Sequence, residues 1–246
     1  TDSYERVGMA GREYTRILQG MIQRIFRIAT VAIALSGCSL LHKTPPEPLN
    51  TPDLPVVSDS VTDSLLVDLK GVDTSLVIDM RYATKNNFTG SILPGYEANR
   101  AYLRGEAAAA LALVNADLHL QGLGLKIFDA YRPVRATDAM VAWTESAHRP
   151  DLLRDGYIAS RSRHNLGVAV DLTVIDLRTR AELPMGTSFD YFAPLAFTKN
   201  ATGVVAKNRQ LLKKVMERQG FTNYANEWWH YSYPVDSPVR FDRVVR

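Results

Sequence analysis

Four residues of this 246-residue chain are of the types that activate water when a metal holds them together: His164, Asp171, Glu227 and His230. The first two fall in the stretch Ser160-Arg-Ser-Arg-His164-Asn-Leu-Gly167-Val-Ala-Val-Asp171-Leu-Thr-Val-Ile-Asp176. Val168, Val170 and Leu172 alternate with Ala169, Asp171 and Thr173, which is the period of a strand. On such a strand Asp171 shares a face with Ala169, and His164 sits back in a turn that Gly167 permits. The pair offers zinc one nitrogen and one oxygen, and lacks a third ligand. A third lies downstream, in Asn226-Glu227-Trp228-Trp229-His230-Tyr231-Ser232-Tyr233. If this run is extended, as Trp and Tyr favour, Glu227 and His230 fall on opposite faces. A turn beginning near Glu227 would instead let both reach one water. A catalytic zinc site needs three protein ligands, an open position and an unliganded carboxylate to accept a proton, and these four residues supply that set.

Each has a blander reading when taken singly. A histidine in a polar loop is usually solvated, and a Trp-Trp pair more often packs a core than lines a substrate. Asp171 resists such a reading, because a carboxylate in the middle of an apolar strand needs a cation, either Arg or a metal.

The pattern Ser162-x-His164-x-x-Gly167-x-Ala169-x-Asp171, followed by Glu227-x-x-His230, resembles the zinc D-alanyl-D-alanine metallopeptidases. Asp129-Ala130-Tyr131-Arg132-Pro133 and Met185-Gly186-Thr187-Ser188-Phe189-Asp190 resemble the dipeptidase branch of that family, the one known from glycopeptide resistance. The resemblance runs from about Val67 to Pro234, with four motifs in order.

It implies one zinc ion on His164, Asp171 and His230. Glu227 would then be the general base, and Arg132 would stabilise charge on the attacked carbonyl oxygen, a task that suits a planar, permanently charged guanidinium. Ser162 would contact the substrate carboxylate and Asp190 the free α-ammonium of a dipeptide. Tyr82 and Tyr96 are candidates for an aromatic wall outside this core set. The implied reaction is hydrolysis of D-Ala-D-Ala to D-alanine, in cell-wall peptide turnover or D-alanine recycling. Two alternatives stand beside it: a D,D-carboxypeptidase acting on peptidoglycan stems, and a non-catalytic zinc-containing wall-binding lipoprotein. Asp190 favours the dipeptidase, since an acid beside the acyl terminus disfavours a stem peptide. Glu227 and Arg132 argue against a pure binder, which needs neither.

The elements that must position these residues follow from pattern. Strands are expected at residues 65–69, 75–82, 125–131 and 168–176, with turn signals through 83–100. Helices are expected at residues 104–120, where Leu111, Val114 and Leu118 recur at helical spacing before Gly122, and at 134–147 and 207–219. His148, at the end of the second of these, reads as a helix C-terminal histidine and not a ligand. Strands and helices do not alternate regularly enough for a doubly wound sheet. The expected class is α+β, a mostly antiparallel sheet flanked by helices with the zinc site in a groove on one face. The resemblance implies the fold shared by D-Ala-D-Ala metallopeptidases and hedgehog-like domains.

The rest of the chain concerns address and not chemistry. A net charge of +3 with scattered basic residues gives no stripe for nucleic acid. Met21 reads as a possible start, followed by Arg24 and Arg27, a short apolar run, and Leu35-Ser36-Gly37-Cys38. That order reads as a secretory signal across residues 1–37, too short to span a bilayer. Its end resembles a bacterial lipobox, with Cys38, the chain's one cysteine, as the lipidated mature terminus. The expected location is periplasmic, anchored to the outer membrane through Cys38 alone. Pro45, Pro46, Pro48, Pro52 and Pro55 mark residues 38–60 as an extended tether, with the catalytic domain at 61–246.

Overall fold

The structure, a computed structural model, describes residues 50–246; the leader, Cys38 and the first part of the Pro-rich segment lie outside them. The described part of the chain opens with α1 (Asp59–Leu65), β1 (Leu66–Asp68), α2 (Leu69–Val72), β2 (Val77–Ile78) and β3 (Tyr102–Arg104). It continues through α3 (Gly105–His119), β4 (Leu123–Asp129), α4 (Val134–Ser146), α5 (Asp151–Arg154) and β5 (Ala169–Asp176). It closes with α6 (Gly203–Arg218), β6 (Thr222–Asn223) and β7 (His230–Ser232). Five strands form one sheet in the order β2-β4-β5-β7-β6, and β1 pairs with β3 in a second small sheet. Only β2 and β4 run parallel; the other pairings of the large sheet are antiparallel. The class is the expected α+β.

Strand β5 lies at the centre, paired with β4 on one side and β7 on the other. Residues Ala169 to Ile175 are all buried, so the run lies between covered faces, and the side-chain alternation chooses which cover each residue meets. Helix α3 packs on β4 and α6. Its buried Ala107, Ala108, Leu111, Val114, Asn115 and Leu118 form one stripe at helical spacing. The boundaries of α3, β4, α4 and β5 fall within two residues of those read from the sequence.

Elsewhere the structure departs from pattern. Where residues 65–69 read as one strand, the chain forms only the three residues of β1 between two short helices. The Asp68 carboxylate accepts from Lys70 N and caps α2 there. Residues 75–82 keep only Val77–Ile78 as strand. Beyond them Met80 N turns to Asn99 Oδ1 and residues 81–83 form a 3-10 turn. Helix α6 starts at Gly203, four residues before the predicted position.

Residues 50–57, which the composition places in the tether, lie against the folded body. Proline removes a donor but leaves its carbonyl. Pro55 O accepts from Arg240 N at 3.0 Å, and Val57 N donates to Arg240 O at 3.0 Å.

Candidate metal and active site

Register builds half the site. Asp171 on β5 lies opposite His230 on β7, and Asp129 on β4 lies opposite Asp171. Residues directly opposite in an antiparallel ladder project to the same face, so Asp129, Asp171 and His230 make one row across three strands. The β4–β5 register would pair Phe128 with Asp171, but a bulge between Ile127 and Asp129 puts Asp129 there instead. One extra residue thereby re-aims a side chain, a use to which bulges beside active sites are commonly put.

His164 comes from the turn before β5. Residues Arg163–Leu166 form a 3-10 turn whose N-cap, Ser162, accepts from His164 N through Oγ. Asn165 Oδ1 accepts from Ser162 N in return, completing a capping box. Gly167 ends the turn at φ 65, a backbone that favours glycine, and a Cβ there would lie 2.5 Å from Leu66 Cδ2, so that side chain would have to shift. His164 Nδ1 is 2.6 Å from the Ala130 carbonyl. A carbonyl only accepts, so Nδ1 carries a hydrogen, and Nε2 is the ring nitrogen turned towards Asp171 and His230.

His164, Asp171 and His230 offer donor atoms within 4.8 Å of one another. His164 Nε2 lies 3.2 Å from His230 Nδ1 and 3.3 Å from Asp171 Oδ2, and His230 Nδ1 lies 2.9 Å from Asp171 Oδ1. Zinc bonds of about 2.0–2.2 Å give a tetrahedral edge of about 3.3–3.6 Å, close to these spacings. Burial raises the Asp171 pKa, but the two imidazoles outweigh it and hold the carboxyl well below its usual range. The set therefore fits a divalent cation in spacing, donor type and tautomer.

The remaining predicted residues surround this cluster. All seven line one pocket of about 50 Å³: Arg132, Ser162, His164, Asp171, Asp190, Glu227 and His230. Glu227 sits in the turn before β7, as the alternative to an extended run required. Asn223 Nδ2 holds that turn by donating to both Glu227 O and His230 O at 3.0 Å. Glu227 Oε2 is 3.9 Å from His230 Nδ1, beside the cluster without joining it. Burial, then the Asp171 and Asp190 carboxylates, push the Glu227 pKa well above the usual range. A bound cation would act in the other direction.

Arg132 leaves the end of β4 with its guanidinium 3.7 Å from Asp171 Oδ2 and stacked 5.0 Å from the centre of the Tyr82 ring. Asp190 takes a left-handed backbone at φ 58, which Asp tolerates better than most residues. The Tyr82 hydroxyl lies within 3.2 Å of both its oxygens, and burial, followed by Asp171, raises its pKa. Its loop is tied to the Glu227 turn, because Trp228 Nε1 donates to Thr187 Oγ1 at 2.8 Å. The Trp pair divides its work: Trp228 is core, and Trp229 lines the pocket.

The chain is similar to known proteins. Residues 62–243 match the family described as D-Ala-D-Ala dipeptidase, peptidase family M15. The chain belongs to that family. A D-alanyl-D-alanine dipeptidase of Enterococcus faecalis is 38% identical over 177 residues, covering 65% of this chain and 86% of that protein. A Streptomyces coelicolor protein of the same description is 37% identical over 63% of this chain and 84% of its own length. One from Escherichia coli is 35% identical over 69% and 84% respectively.

Within this dipeptidase-family site, sequence reasoning gave no task to Asp129 or Asn165, and offered Tyr96 only as a candidate for an aromatic wall. Asp129 is fully buried and accepts from Arg132 Nε at 2.8 Å and Tyr96 OH at 2.6 Å. Asn165 Nδ2 donates to Arg132 O at 3.0 Å, joining the two halves of the site. The available signal was an acid three residues before Arg132 at a strand end; the bulge that aims it left none.

Proposed function

We propose that this chain hydrolyses free D-alanyl-D-alanine to two molecules of D-alanine, with one zinc ion held by His164, Asp171 and His230. The observation that carries the reading is the meeting, in one small pocket, of the ligand cluster with Glu227 and Arg132 on its flanks and the buried Asp190 carboxylate. When bound, zinc would supply a Lewis acid that polarises the scissile carbonyl and lowers the pKa of water. Glu227 accepts the proton of the attacking water and passes it to the leaving amine. Arg132 directs a permanent positive charge to where the carbonyl oxygen gains negative charge. Asp190 pairs with the substrate's α-ammonium, which offsets the cost of burying that carboxylate. The Ser162 hydroxyl meets the substrate carboxylate.

The lipobox residues Leu35-Ser36-Gly37-Cys38 support a periplasmic protein, lipid-anchored and acting on products of cell-wall turnover. The deciding experiment is D-alanine release by zinc-loaded protein from free D-Ala-D-Ala and from its N-acetylated form. Hydrolysis of the free dipeptide alone is expected. Equal hydrolysis of the acetylated form would overturn the Asp190 assignment in favour of a carboxypeptidase, and no hydrolysis of either would overturn the enzymatic reading.

A further inference from the structure

We propose that residues 50–57, which precede the family match at residue 62, position the substrate-binding wall around Ser162. This rests on the dipeptidase reading of that wall. The strap engages the wall at two places. At the first, Arg161 is held on both backbone groups: Thr51 N donates to Arg161 O at 2.9 Å, and Arg161 N donates to Asn50 Oδ1 at 3.0 Å. Ser160 Oγ lies 3.1 Å from the same Asn50 oxygen, and Arg161 Nε donates to Thr51 O at 2.9 Å. Thr51 is itself buried by these contacts. Arg161 adjoins Ser162, and Tyr157, Ile158, Ala159, Ser162 and Arg163 all line the pocket.

At the second place, residues 54–57 grip Arg240. Its backbone exchanges hydrogen bonds with Pro55 and Val57, and its Nε donates to Leu54 O at 2.6 Å. The next residue, Phe241, donates from N to Asn165 O at 2.8 Å and accepts from Val134 N at 3.1 Å. Asn165 in turn binds Ser162 N and Arg132 O. The strap therefore reaches Ser162 from both sides, through Arg161 and through Phe241–Asn165. His164 Nδ1 and the β5–β7 pairing are anchored elsewhere in the fold, at Ala130 and along the central sheet. Releasing the strap should loosen substrate binding while leaving the metal ligands in place.

The test uses the full zinc-loaded chain with the double variant Asn50→Ala/Thr51→Pro, which removes the side-chain acceptor and the backbone donor at the first contact. A wall that binding must now order should raise KM for D-Ala-D-Ala about tenfold, with kcat within about twofold of wild type. Zinc content should stay the same, and amide hydrogen exchange at Arg161 and Ser162 should quicken. Asn50→Asp, which keeps the acceptor, should restore KM relative to Asn50→Ala. Faster exchange with unchanged KM would overturn the proposal. So would parallel losses of kcat, zinc and melting temperature, which would mark a merely structural brace. If wild type releases no D-alanine, the dipeptidase reading fails on its own. Unchanged exchange at Arg161 and Ser162 in the double variant would then overturn the strap separately.

Discussion

Asp171 and His230 face each other across the β5–β7 ladder, Oδ1 to Nδ1 at 2.9 Å, so two of the three proposed metal donors are set by strand register and not by a loop. The third, His164, is fixed in tautomer by the Ala130 carbonyl. A site prepared in this way should bind zinc in the folded state alone. Chelation should abolish D-alanine release, and added zinc should restore it. Zinc at about 100 times its Kd should stabilise the fold by about 2.7 kcal/mol, read as a rise in melting temperature. Asp171→Ala should lose both effects; a variant that kept its zinc would remove Asp171 from the ligand set.

Glu227 Oε2 lies 3.9 Å from His230 Nδ1, near the ligands but outside them. Glu227→Gln preserves shape and removes the ability to hold a proton as a carboxyl group. Turnover should fall by about 10²- to 10⁴-fold, the usual worth of a positioned acid–base group, while zinc content stays at the wild-type level. Near-normal turnover by the zinc-loaded variant would transfer the base role to another group.

Asp129 does not line the pocket and lies 3.5 Å from His164 Nδ1, yet its main contact is Arg132, held through Nε at 2.8 Å and Nη2 at 2.7 Å. Asp129→Asn removes the negative charge that pairs with the guanidinium and replaces one of the two acceptor oxygens with a donor. Arg132 should shift, and kcat should drop by about 10²-fold, the scale of an ångström-level misplacement. Substrate KM should change little. Tyr96→Phe removes only the hydroxyl partner and should have a smaller effect. Equal kcat in wild type and Asp129→Asn, measured at full zinc occupancy, would show that Arg132 is held by other means.

Much of this site was legible because its residue types conflict with their surroundings. Asp171 inside an apolar strand, and Glu227 and His230 among aromatic residues, are expensive choices unless chemistry requires them. The central strand and the Ala-rich helix were legible because their periods are regular. The bulge at Asp129 was not, since an extra residue in a strand breaks alternation without leaving a residue-type signature. Nor was the strap, because Pro52 and Pro55 suggest a tether while their carbonyls remain free to accept. The strand expected at residues 75–82 stopped at Ile78 because Asn99, far along the chain, captures Met80 N.

Away from the site, Asp73 sets an acid limit on stability. Burial pushes its carboxyl up, but hydrogen bonds from the Ser75 hydroxyl at 2.5 Å, Asn115 Nδ2 at 2.7 Å and Ser75 N at 2.9 Å outweigh it. The folded-state pKa is therefore lowered from its model-peptide value of 3.8. The unfolded chain takes up this proton at higher pH than the folded one, so the stabilisation is complete above about pH 4 and fades as pH falls through the folded value. The stability gap between wild type and Asp73→Asn should be constant near neutrality and shrink towards about pH 3; parallel unfolding curves across that range would refute the assignment. Asn115 supports the same knot from α3 and also accepts from Leu125 N at 2.9 Å, tying the helix to β4. Asn115→Leu leaves that buried amide unpaired and should cost about 1–3 kcal/mol near neutral pH, measured by urea unfolding of the zinc-loaded protein.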